Sequence, residues 1–482
     1  SQIWDVLFAG GTGFYYWRFS VGLAEDITLS DAHALYQCEV AEEVMDGIGE
    51  LFTQAERVFD PVAILYSRTS GICDQLEAKG EPLTSKANSF GAFQHAMEDA
   101  GLNPHTITDG ELIGGWLATH GTRMLLLPGC NSLSAAEIAA VQAYVDGGGV
   151  VIADTRPATR FPNGSLRKAG ALDALFGVKH NRKESRLRAK GVLIGTALGA
   201  GADLNFGLTL CDPRLAADGA VAFGQLQPAE GATESAPPAS AIFAEEAGKG
   251  YAILLNASFS SYDTIRGSGG ADWEAWHAVI ATAAKRAGLE PSFRGTSRGK
   301  ETPGLEFSPF RNGDGWLLGV EDLGCGDDTG DRRPFEVALP GRYHLYDIRA
   351  SKYMGEADTL KEDIPRGGHR AYALLPYRVA GLAAGLDRDS VAPGGLARLK
   401  VRIQTDGEAP AGHVLRITAR PPGQEEDFFP FKRVVRVPRD GTLVMPLRVA
   451  HNDPSGMWQI TVTDVSTGAS ATVLLPVREV AE

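Results

Sequence analysis

Met124-Leu125-Leu126-Leu127-Pro128 and, one helix later, Gly147-Gly148-Gly149-Val150-Val151-Ile152-Ala153 are the stretches that decide the fold. Each is a short apolar run without polar alternation, the pattern of a strand covered on both faces. Between them, Ser134 to Asp146 has helical spacing. Ser134 and Glu137 predict a capping box, in which each side chain accepts a backbone N–H of the first turn. The glycine triplet ends that helix. Strand, helix and strand of these lengths imply parallel pairing through right-handed crossovers.

The same alternation extends both ways. Upstream lie the apolar strand Val62 to Tyr66 and a helix from Ser89 to Ala100, stopped by Gly101. Downstream lie a strand, Tyr251 to Asn256, and a helix, Asp272 to Ala287. Val62 to Tyr66, Met124 to Leu127, Val150 to Ala153 and Ala252 to Leu255 are therefore expected in one mainly parallel sheet. After about Gly295 the helical period disappears. Runs such as Trp316 to Val320, Phe335 to Leu339 and Tyr343 to Ile348 sit between Gly, Pro and Asp turns, which predicts an antiparallel β-sandwich. A second β unit begins near Asp387, with strands at Ala397 to Ile403, His413 to Ala419, Leu443 to Val449, Trp458 to Val462 and Ala471 to Val477. Its strand spacing suits an immunoglobulin-like sandwich.

Before Asp60 the chain reads helix (Ile3 to Phe8), a glycine turn and short aromatic strand (Gly10 to Arg18), then a long helix from Ser30. One strand and one helix form no core alone. Residues 1–57 are expected to close a larger unit, their apolar residues Phe8, Phe14, Val40, Val44 and Leu51 demanding a partner surface.

With 482 residues the chain predicts about three to four domains. A net charge of −14 argues against nucleic acid as a partner, since no positive field gathers phosphate. No apolar run approaches the roughly 18 residues a membrane span needs. The five cysteines, Cys38, Cys73, Cys130, Cys211 and Cys325, are scattered without metal spacing, which favours a reducing, cytoplasmic setting and no metal or cofactor.

Asp60-Pro61-Val62-Ala63-Ile64, Arg123 to Pro128, Leu133-Ser134 and Ala143 to Val151 together resemble the trimerisation domain of glycoside hydrolase family 42 β-galactosidases, a flavodoxin-like, class I glutamine-amidotransferase-like fold. The resemblance covers about 100 residues in order. It implies the division 1–57 (last strand and helix of a (β/α)8 barrel), 58–295 (amidotransferase-like domain), 296–385 (β-sandwich) and 386–482 (immunoglobulin-like sandwich). In that family an aromatic-Trp-Arg run on the last barrel strand is similar to Tyr16-Trp17-Arg18. Gly22-Leu23-Ala24-Glu25 resembles the Gly-Ala-Glu that follows, although the usual downstream His is out of register. Trp17, Arg18 and Glu25 are thereby the candidate sugar-binding residues. For Trp17 the alternative is packing between barrel and helices, and for Glu25 a solvated loop carboxylate. The family's catalytic carboxylates, on the fourth and seventh barrel strands, would fall upstream of Ser1, so no catalytic residue is expected here.

An amidotransferase needs a Cys thiolate on a strained strand-to-helix elbow, activated by a His. The elbow after Val150 to Ala153 reads Asp154-Thr155-Arg156-Pro157, and Asn256-Ala257-Ser258 replaces a His-x-Glu. Cys130 is read as a buried structural thiol. The acidic run Glu321 to Asp328 lacks calcium-loop order and reads as a solvated hairpin loop. The basic stretch Lys179 to Lys190 reads as a loop. Gly10-Gly11-Thr12-Gly13 lacks the Lys-Ser/Thr of a phosphate loop.

Two functions follow. One is the C-terminal part of a β-galactosidase-like glycoside hydrolase, providing oligomerisation, a trimer by resemblance, and part of the active-site wall. The other is a non-catalytic carbohydrate-binding or assembly protein. Paired glutamates on an upstream barrel, or a separate barrel chain, would distinguish the first.

Overall fold

The computed structural model describes residues 2–13, 38–77, 86–181, 187–193, 204–228, 239–326, 330–407, 410 and 412–478. It divides into two compact units, one formed by Ser1–Val58, Phe307–Glu321 and Val337–Glu482, the other by Phe59–Glu306 and Asp322–Glu336.

The second unit is built on a nine-stranded sheet. Its order is His105–Thr108, Val62–Tyr66, Met124–Leu127, Val150–Asp154, Gly250–Leu255, Ala239–Ala247, Val221–Pro228, Leu187–Leu193 and Leu204–Cys211. The first five strands are mutually parallel, and the four expected strands are among them. The remaining pairings are antiparallel, so the sheet is half parallel rather than mainly parallel. The basic stretch expected as a loop contributes Val178–Lys179 and Leu187–Leu193 to strands. Leu187 and Ala189 alternate with Arg188 and Lys190, a period of two that the density of charge obscured.

Alternation places successive residues of each parallel strand on opposite faces. Val62, Ile64, Met124, Leu126, Val150, Ile152, Ile253 and Leu255 form one core with the helices Lys86–Asp99 and Gly270–Arg286. Ala63, Leu65, Leu125, Leu127, Val151, Ala153, Ala252 and Leu254 form the other, with Ile138, Val141 and Val145 of the helix Ala135–Asp146. That helix starts as expected. Ser134 N–H donates to Glu137 Oε2 (2.7 Å) and Glu137 N–H to Ser134 Oγ (3.3 Å), fixing where the chain turns back.

The first unit holds two β layers and one sheet backed by helices. Val379–Leu386, Leu396–Thr405 and Thr442–Arg448 form one sheet; Arg433–Arg436, Val414–Arg420, Gly456–Asp464 and Ser470–Val477 form another. Leu399, Val401 and Leu447 from the first meet Ile417, Trp458, Ile460 and Leu475 from the second in one core, a seven-stranded sandwich. The preceding strands, expected as a sandwich, instead form a single antiparallel sheet that includes Gly315–Asp322 and His369–Leu375. Helices cover its face.

Those helices are the N-terminal ones. Gln2–Phe8 and Gly49–Gln54 bury Trp4, Phe8, Leu51 and Phe52 against Phe310, Leu317, Ala371 and Ala373. Phe8, Val40 and Leu51, expected to demand an upstream barrel, are thus covered by the chain's own sheet, and Val44 packs on the same cluster. Phe14 lies outside the described residues. Gly319 is what permits the close approach: a Cβ there would fall 2.6 Å from the Phe8 ring. A buried relay ties the sandwich: Tyr377 Oη to His413 Nε2 (3.0 Å) and His413 Nδ1 to Asp464 Oδ1 (2.9 Å).

Candidate functional site: the carboxyl edge of the parallel strands

In an open sheet of this kind ligands bind beyond the carboxyl ends of the strands, where backbone groups and loop side chains converge. Four of the parallel strands end here, in Tyr66, Leu127, Asp154 and Leu255. Asp154 sits at the centre, with no solvent exposure. Its carboxylate accepts from Ser89 Oγ (2.6 Å), Gly129 N–H (2.6 Å) and Phe259 N–H (3.0 Å). Burial lifts this carboxyl above its ordinary range, and the three donors oppose the rise. The group joins a helix and the loops after two neighbouring strands, which is an architectural task.

The next residue is the elbow. Thr155 has φ 56°, and Ala158, three residues on, φ 52°. A β-branched residue in the left-handed region is a genuine outlier, held only because its surroundings over-determine it. Its N–H donates to Leu255 O (2.9 Å), which ties the turn to the neighbouring strand. A left-handed residue therefore stands at the position where the sequence placed the elbow; it is a threonine, and no helix follows it.

Around it several polar groups pair with one another, while Asn131 Oδ1 and Arg156 Nε are buried without a hydrogen-bond partner. Arg156 forms a buried ion pair with Asp212 (3.0 Å) and donates to Asn181 O (3.0 Å). Asn256 accepts from Asp212 N–H (3.0 Å) and donates to Asp212 O and Ser240 O (both 3.0 Å). That use of both ends of the amide leaves it no role as a base. Asn131 donates to Asp74 (3.0 Å), and Ser70 Oγ to Ser132 O (2.8 Å). Cys130 is fully buried with its thiol directed at Pro128 O (3.4 Å). The exposed feature is Tyr66, half open to solvent and set edge-on to Phe90 (5.8 Å between centroids).

The sequence-derived sugar-binding candidates, Trp17, Arg18 and Glu25, lie outside the described residues. The acidic run is not a wholly solvated loop: Glu321 and Asp322 end a strand and are buried, and Asp322 accepts from Gly324 N–H (2.8 Å) and faces Arg333 (3.5 Å). Sequence reasoning missed Asp154 and the Arg156–Asp212 pair. An acidic residue closing an all-apolar strand was the available signal for the first. Among the described residues, no helix is long and apolar enough to cross a membrane.

Comparison with protein-family models and with curated proteins gives no match. Comparison with solved structures does. The β-galactosidase of Bacillus circulans sp. alkalophilus matches with a TM-score of 0.52 at 16% identity, over 70% of this chain and 45% of that one. Gan42B, a GH42 β-galactosidase from G. stearothermophilus, matches with a TM-score of 0.50 at 12% identity, over 73% of this chain and 45% of that one. This chain spans less than half the length of either protein, and over about 70% of itself it has the fold of GH42 β-galactosidases.

Proposed function

We propose that this chain is the C-terminal part of a β-galactosidase-like glycoside hydrolase, supplying oligomerisation and part of the active-site wall, with the catalytic carboxylate pair outside it. The observation that carries this reading is the carboxyl edge. After its central strand Thr155 turns at φ 56° where an amidotransferase would carry its Cys, and Asn256 is committed to structural hydrogen bonds. A fold retained with its site locked by internal pairing is suited to assembly. In this reading the sheet unit is the trimerisation-like domain, the last sandwich is immunoglobulin-like, and Trp17, Arg18 and Glu25 contact sugar from the wall of a (β/α)8 barrel.

Size-exclusion chromatography with light scattering tests the assembly role: a closed trimer is expected. A strict monomer, in this chain and in the polypeptide that carries a barrel with it, overturns the reading. A carbohydrate-binding or assembly protein without hydrolase activity is the second reading. Paired glutamates on an accompanying barrel would exclude it.

A further inference from the structure

We propose that Asp5, Glu321 and His369 form a divalent-metal site, fitted to Zn2+, that staples the N-terminal helix to the β-sheet. Glu321 and His369 are directly opposite residues on adjacent antiparallel strands, so their side chains rise from one face of the sheet. Asp5 descends onto them from the helix Gln2–Phe8. His369 Nε2 lies 2.9 Å from Asp5 Oδ1 and 3.1 Å from Glu321 Oε1, and one ligand atom from each residue lies within 4.8 Å of the others.

Imidazole nitrogen with two carboxylate oxygens is a zinc donor set, leaving a fourth tetrahedral position for water. Zinc–ligand bonds of about 2.0–2.2 Å place tetrahedral ligands roughly 3.3–3.5 Å apart. The observed 2.9 and 3.1 Å separations therefore need to open by only a few tenths of an ångström. Asp5 can supply that movement, because its side chain is 50% exposed while Glu321 and His369 are 8% and 7% exposed. The same exposure is the entry path.

The rest of the pocket is built to hold the imidazole still. Trp4 stacks on the His369 ring (6.3 Å, 19°), and Phe8 packs at 6.4 Å. Arg349 donates to the His369 carbonyl (2.7 Å). An apolar surround and a fixed ligand ring are what tune and orient a metal site. Charge points the same way. Two carboxylates bring two negative charges to a largely buried pocket, which a dication balances.

The test is zinc uptake by the full chain, stripped with chelator and dialysed, measured by calorimetry and by metal content. One Zn2+ per chain is expected, with a rise in Tm and a visible Co2+ spectrum of low-coordinate N/O ligation on substitution. Asp5→Asn, which changes a half-exposed side chain and so leaves the fold intact, is expected to weaken uptake at least about tenfold, and Glu321→Gln and His369→Gln likewise. No uptake by the wild-type chain, or uptake undiminished in Asp5→Asn, overturns the proposal.

Discussion

Asp154→Asn isolates what holds the carboxyl edge together. The wild-type carboxylate takes two donors on Oδ2, from Ser89 and Phe259, and one on Oδ1, from Gly129. An amide offers one oxygen and one NH2. Ser89 can rotate and accept, but the two backbone N–H groups cannot. Whichever way the amide is set, one of them faces another donor in a buried position. An unmet buried donor costs about 1–3 kcal/mol, and exchanging a buried carboxyl for a neutral amide returns part of it. We expect a net loss of about 2 kcal/mol. Asp154→Ala removes acceptors for all three donors and is expected to cost about 4 kcal/mol. With two units in the chain a single global transition is not assured, so the assay is urea unfolding read by hydrogen exchange in Val150–Asp154 and Gly250–Leu255. An Asn variant within about 0.5 kcal/mol of wild type would refute the view that this carboxylate ties the edge.

Further outcomes follow from other contacts. Thr155→Gly relieves a left-handed β-branched residue and should leave the unit as stable or up to about 1 kcal/mol more so in the same assay; a loss above about 1 kcal/mol would show that the threonine side chain carries the turn. Removing one partner of the fully buried His413–Asp464 pair, by His413→Ala, should destabilise the sandwich by about 3–5 kcal/mol in thermal or urea melts, and a loss under about 1 kcal/mol would contradict the relay. Gly319→Ala should loosen the N-terminal helix, seen as faster exchange across Gln2–Phe8 with the sandwich strands unchanged. Glu98 is lifted to about 8, by burial first and by the neighbouring Glu306 charge next. Between its ordinary value and about 8 the folded form binds more protons than the unfolded one, so stability should fall as pH rises through that window. Partial exposure of the side chain limits the effect to roughly 1–2 kcal/mol. Glu98→Gln should flatten the profile, and an unchanged slope would contradict the assignment.

What the sequence disclosed was local. The capping box of Ser134 and Glu137 spans three residues and is set by one turn of backbone, so it reads directly. Met124–Leu127 and Val150–Asp154 read because burial on both faces leaves an unbroken apolar run. The turn at Thr155 was placed by its position after a strand, whereas its positive φ accompanies a hydrogen bond to Leu255, 100 residues on. What stayed hidden was long-range. Asp154 meets donors 65, 25 and 105 residues away, and Asp5 meets His369 at a separation of 364, distances over which no periodicity or spacing rule operates. The N-terminal helix looked orphaned because its cover comes from strands more than 300 residues later, such as the one carrying Leu317. In the antiparallel half of the nine-stranded sheet, charge concealed the strand Leu187–Leu193.

The most direct test of the central claim is hydrolysis of aryl β-D-galactosides by the purified chain at high protein concentration. We predict no release of the aryl group above the buffer rate, because the proposed function puts the carboxylate pair that cleaves glycosidic bonds outside this chain. Saturable turnover that copurifies with the chain, and that is lost on replacing one of its own carboxylates, would contradict it.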